Sequence, residues 1–136
     1  MEDFKIYTGY FARAKQYERK GLIPVSIARF SPKWFYSLLE YKDLAPKAEM
    51  LKMKEGSYTR KFNEILSKID PNKVVEELKS ISGGHPVVLL CYEKPGDFCH
   101  RHLVAEWLAQ NTDFEVKEFM GFQKKKTPDG VQGSLF

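Results

Sequence analysis

Val87-Val-Leu-Leu-Cys-Tyr92 is an unbroken apolar run, and its surroundings restrict how it can fold. His85-Pro86 precedes it and Pro95-Gly96 follows it, so breakers bound it on both sides at a length that suits a strand better than a helix. A strand without polar alternation has both faces covered, as at the centre of a parallel sheet flanked by helices. From Cys99 to Gln110 the period becomes helical. His100, Leu103, Val104, Trp107 and Leu108 fall on one side, and His102, Glu106 and Gln110 on the other.

The same alternation of periods runs through the chain. Phe4-Lys-Ile-Tyr-Thr8 predicts a first strand stopped by Gly9, followed by a polar-aromatic helix to about Lys20 with Gly21 as its cap. Leu22 to Arg29 predicts a second strand. Ser31-Pro32 then reads as an N-cap and first-turn proline, opening a helix that carries Trp34, Phe35, Leu38 and Leu39. Tyr41 to Gly56 reads as a loop with a short helix around Ala48 to Lys54. Tyr58, Phe62, Ile65, Leu66 and Ile69 share one helical stripe, and Asp70-Pro71 restarts a helix carrying Val74, Val75, Leu78 and Ile81 that Gly83-Gly84 ends. Phe114 to Phe119 predicts a last strand. Strands separated by helices give an α/β fold: a single domain over residues 1–122, with a mostly parallel central sheet of about four strands flanked by helices. Residues 123–136, bearing Lys124-Lys-Lys126, read as a flexible basic tail.

Composition narrows the functional classes. The 136 residues hold 43% hydrophobic and 29% charged side chains, so collagen-like, coiled-coil and wholly disordered readings fail. The apolar run is too short to span a bilayer, and Met1-Glu-Asp3 lacks the basic flank and apolar stretch of a secretory signal, so no membrane partner and a cytoplasmic location are expected. In such a compartment Cys91 and Cys99 are expected as thiols. Twenty-two basic against 18 acidic residues leave a charge of +4, a modest pull toward an anionic partner that lies partly in the tail.

Chemistry concentrates in Leu89-Leu-Cys-Tyr-Glu-Lys-Pro-Gly-Asp-Phe-Cys-His-Arg-His102. Cys91 and Glu93 fall at the exit of the central strand. Asp97 is the expected N-cap of the next helix, with Cys99, His100 and Arg101 in its first turn. The carboxyl ends of parallel strands are where such sheets bind ligands, and a helix N-terminus there attracts anions and favours a thiolate. If the first two strands are parallel to the third, Thr8 and Arg29 join the same rim. Cys99 or Cys91 is then the candidate nucleophile, His100 or Glu93 the proton carrier, and Thr8, Arg29 and Arg101 the anion-binding groups. Each residue also has a plainer role open to it: Cys91 as a small buried hydrophobe, His100 as a hydrogen-bonded histidine at the core edge, Arg101 as an ion-pair partner of Glu93. A metal reading would use Cys91, Cys99, His100 and His102 or His85, but the close ligand pairs of structural zinc are absent and His102 points away from His100, so zinc is disfavoured, no residue is assigned as a metal ligand and the cofactor stays open. A phosphate-cradling thiolate loop is disfavoured because the loop is long and poor in glycine.

This segment resembles the signature of the family called domain of unknown function 488, a strand with Cys-x-Glu followed by Cys-His-Arg at a helix start. The resemblance extends to Ile6-Tyr-Thr-Gly9 and to Ile27-Ala-Arg-Phe-Ser-Pro32, which is similar to the family's Asp-Val-Arg-x-x-Pro with Ile27 in place of the aspartate. It implies an α/β fold and a shared site of Thr8, Arg29, Cys91, Glu93, Cys99, His100 and Arg101. No reaction comes with it.

The final residues, Gln132-Gly-Ser-Leu-Phe136, resemble the bacterial sliding-clamp binding pentapeptide, with Gly133 in place of its first leucine. Leu135 and Phe136 would fill an apolar pocket, while Gln132 and Ser134 satisfy polar groups at its edge. Two functions are therefore expected from different classes. One is an anion-attracting thiol site that acts on or senses a nucleotide or nucleic-acid component. The other is a non-catalytic adaptor recruited to the clamp by its tail.

Overall fold

Every residue of Val87–Cys91 is buried, and this strand pairs on both sides, as its apolar composition requires. The computed structural model describes residues 4–35, 39–50, 52–92 and 99–120. In chain order these form β1 (Ile6–Tyr10), α1 (Ala14–Arg19), β2 (Ile23–Ser26), α2 (Glu55–Ser67), α3 (Pro71–Ile81), β3 (Val87–Cys91), α4 (His100–Asn111) and β4 (Lys117–Glu118). The four strands make one all-parallel sheet in the order β2-β3-β1-β4. In register, Ile6 lies opposite Val87 and Tyr10 opposite Cys91, while Ser26 lies opposite Leu90 and Thr8 opposite Glu118.

Strand order fixes where the helices go. The β1-to-β2 connection crosses the sheet in one direction and the β2-to-β3 and β3-to-β4 connections cross in the other, so right-handed crossovers put α1 on one face and α2, α3 and α4 on the opposite one. The two apolar clusters agree. Ala14 and Tyr17 of α1 pack with Val88 and Leu90, whereas Phe62, Leu66, Val74, Leu78, Val104 and Leu108 pack with Ile6, Val25, Val87 and Leu89. By strand alternation Thr8 and Cys91 then face the α4 side.

Several boundaries differ from the expectations. The second strand ends at Ser26 rather than Arg29, because Ala28 N–H turns back to Ser26 Oγ at 3.3 Å. Residues 33 and 34 form a turn closed by Phe35 N–H to Pro32 O at 3.0 Å, not the first turn of a helix; the remainder of that expected helix includes 36–38, outside the described residues. The helix expected around Ala48 to Lys54 is a single 3-10 turn, Ala48–Met50. The helix after the central strand begins at His100 with Cys99 in the N-cap position expected for Asp97, a residue outside the described ones. Among the described residues no helix is long and apolar enough to cross a membrane.

Candidate functional site

The carboxyl ends of β2 and β3 and the start of α4 enclose a cleft of about 470 Å³. Its walls are Ala28, Arg29 and Phe30 after β2, Pro46 and Met53 from the segment leading into α2, Glu55 and Tyr58 from α2 itself, and Cys91, Tyr92, Cys99 and His100. The switch in strand order falls between β1 and β3; the cleft lies beside it, at the carboxyl ends of β2 and β3, the end of an open parallel sheet where ligands bind. Aromatic rings dominate its mouth: Phe30 and Tyr92 are more than half exposed, and the Tyr92 hydroxyl donates to the Phe30 carbonyl at 2.7 Å. The Arg29 guanidinium lies 4.5 Å from the centre of the Phe30 ring.

At the floor, Cys91 and Cys99, at a sequence separation of 8, are joined as a disulfide with their Cα atoms 7.3 Å apart. This corrects the expectation of two thiols: the end of β3 and the start of α4 are brought side by side, which sequence spacing alone does not reveal. His100, 6% exposed, packs edge-on against Phe62, and its Nε2 lies 2.7 Å from the Ile27 carbonyl oxygen. A carbonyl only accepts, so Nε2 carries the proton and Nδ1 presents a lone pair 3.8 Å from Cys99 Sγ. Burial lowers the His100 pKa to about 4, with the neighbouring Arg101 cation adding to the effect and the Ile27 bond opposing it.

Arg101 is fully buried. Its Nε and Nη2 donate to Glu118 Oε1 and Oε2 at 3.0 and 3.2 Å, and its Nη1 donates to Cys91 Sγ at 3.2 Å. Thr8 Oγ1 donates to the same Glu118 at 2.8 Å. Thr8 and Arg101 therefore meet at a shared carboxylate beside the sulfurs, while Arg29 stands at the cleft mouth. Glu93 and the tail residues Gln132, Ser134, Leu135 and Phe136 lie outside the described residues.

Glu118 escapes the sequence reading. Its one available signal is parity: Glu118 shares a strand face with the buried Val116, so a carboxylate occurs where an apolar residue is expected. Arg101 thus pairs with Glu118 on β4; Glu93, its partner in the plainer reading, lies outside the described residues. Cys91, Cys99 and His100 have potential ligand atoms within 4.8 Å of one another. Bonded to each other, the sulfurs offer no thiolate; reduced, the trio supplies two sulfurs and one nitrogen, one short of a closed structural zinc set.

A family model described as DUF488-N3a, the active DUF488-N3 subclade, matches residues 16–112. The chain belongs to the DUF488 family. The match takes in Arg29, Cys91, Glu93, Cys99, His100 and Arg101 and leaves Thr8 and Glu118 outside it. No curated protein and no solved structure matches the chain.

Proposed function

We propose that this DUF488 protein is a thiol-dependent enzyme acting on a nucleotide or nucleic-acid base held in the cleft. It would work in a reducing compartment, the cytoplasm, where low-molecular-weight thiols supply the two electrons and two protons that open the Cys91–Cys99 bond to two thiols and are themselves oxidised to a disulfide. The observation that carries this reading is the His100 Nδ1 lone pair 3.8 Å from Cys99 Sγ, inside a cleft that also holds a cation and stacking surfaces. Cys99 gives its proton to Nδ1, its sulfur forms the bond to an electrophilic carbon of the ligand as the bond to the departing group breaks, and the imidazolium gives that group the proton; water then adds to the same carbon, the S–C bond breaks and the thiol is restored with a proton from the water. A ring with its pKa lowered to about 4 is neutral at rest and a strong acid once protonated, which suits the second transfer better than the first. Arg29 pairs with the anionic part of the ligand, Phe30, Tyr58 and Tyr92 stack on its base, and Arg101 holds Cys91. The subclade's description as active supports a catalytic role.

Alkylation of phosphine-reduced protein by iodoacetamide tests the reading. Cys99 is expected to react faster than a free model thiol, more slowly in His100→Gln, and more slowly again when a nucleoside monophosphate fills the cleft. Reaction no faster than the model thiol, indifferent to His100→Gln, removes the nucleophile.

A second reading rests on the terminal Gln132-Gly-Ser-Leu-Phe136, which supports recruitment to a bacterial sliding clamp, with Lys124 to Lys126 assisting approach to DNA. Deleting residues 132–136 should abolish retention on immobilised clamp while leaving thermal unfolding unchanged; equal retention dismisses the adaptor role.

A further inference from the structure

We infer that the polymer, a single strand of nucleic acid, is the ligand class, because a lysine-lined groove continues the thiol cleft along α2. This rests on the reading of the cleft as a nucleotide site and specifies its substrate. The groove has a volume of about 700 Å³, and Lys42, Lys47, Lys61 and Lys68 line it against two carboxylates, Asp43 and Glu49. Two links make it continuous with the cleft. Tyr58 stands in the cleft wall, and Lys61 and Lys68 follow it at three and ten residues on one stripe of α2 and its C-cap, a path of about 15 Å at the helical rise. The groove's Lys42 ammonium also donates to the Arg29 carbonyl and lies 5.5 Å from the Phe30 ring, so a lysine of the groove contacts two residues of the cleft wall.

The chemistry suits a strand whose bases and phosphates are gripped separately. Aromatic rings at the cleft accept a base by stacking, and ammonium groups along the groove follow the backbone, the division of labour found in single-strand binders. A base within a duplex could not enter a cleft of about 470 Å³ without leaving its stack. Lys61 pairs with Glu64 at 3.6 Å and Lys42 with Glu40 at 3.8 Å, but both pairs are solvent-exposed and weak, so a phosphate can replace either carboxylate.

The test measures binding of a fluorescent single-stranded oligonucleotide to the full chain by anisotropy across a range of salt. Because the Lys124 to Lys126 run also contributes, the difference between parent and the double variant Lys61→Gln, Lys68→Gln is diagnostic. Loss of two phosphate contacts should flatten the logarithmic salt slope by about 1.4 and weaken binding ~25-fold near 0.1 M salt. Protection of Cys99 by a mononucleotide should be unchanged. An unaltered slope and affinity in the double variant overturn the inference, as does competition by polyglutamate equal to that of an oligonucleotide of the same charge. Oligonucleotide binding with the expected loss but no protection of Cys99 by mononucleotide supports the groove and removes the thiol reading, so the two fail separately.

Discussion

His100 shows how one side chain can link stability to acidity. Its pKa is lowered by burial from 6.5 to about 4, so the unfolded chain binds the proton more readily than the folded one. The contribution of the neutral ring is complete above pH 6.5 and is lost as pH falls toward 4, on the order of 3 kcal/mol in all. Urea unfolding at neutral pH and near pH 4.5 should show this loss, and His100→Gln should flatten the difference. A second residue-scale constraint lies at Gly9, where a Cβ would stand 2.4 Å from Tyr17 Oη and 2.5 Å from Cζ. Tyr17 is fully buried and its hydroxyl accepts Tyr10 N–H at 3.2 Å, so the ring has nowhere to retreat. Gly9→Ala should lower the urea midpoint by the equivalent of about 1–3 kcal/mol, the cost of overpacking. Cys91, Cys99, His100 and Arg101 were legible as one cluster because eleven consecutive positions hold them all. Glu118 was not, since its meaning depends on a strand pairing that brings Thr8 opposite it.

Elements were legible where a local signal and the tertiary environment agree. For α3 both do: Asp70 Oδ1 accepts Asn72 N–H at 3.0 Å and Lys73 N–H at 3.4 Å, Pro71 fills the first turn, and Val74, Val75 and Leu78 reach the core. Asp70→Ala should cost about 1 kcal/mol, read as a lower denaturation midpoint with native secondary structure retained by circular dichroism. The segment after Ser31-Pro32 carries equally good local signals but departs from them. Ser31 Oγ donates instead to Glu40 Oε2 at 2.6 Å and accepts from Ser26 Oγ at 2.8 Å, and Glu40 bridges Ser26 alongside β2. A hydroxyl committed to those partners cannot cap a helix, and nothing in the local sequence announces partners five and nine residues away. The last strand shrinks to Lys117–Glu118 for a related reason: among the described residues it is an edge strand paired with β1 alone, so alternation sets no length for it.

For the whole molecule, the order of strands was beyond the reach of periodicity, although the parallel sheet and the central place of β3 were not. Alternating strands and helices predict crossovers, but only the pairing of β1 with both β3 and β4 brings Thr8, Arg101 and Glu118 together. That cluster ties two strands to the helix that begins beside Cys99, through a cation that is fully buried and a carboxylate that is 16% exposed. Breaking it from one side leaves an uncompensated charge, whereas removing both charges leaves an apolar contact between α4 and the sheet. Arg101→Met alone should destabilise the fold by about 3–5 kcal/mol, and the pair Arg101→Met, Glu118→Leu by clearly less than the two single changes added together. A double-mutant cycle from urea midpoints measures the coupling. Simple additivity would mean that the ion pair does not bind these elements into one unit, and that Cys91 owes its position to the packing of β3 alone.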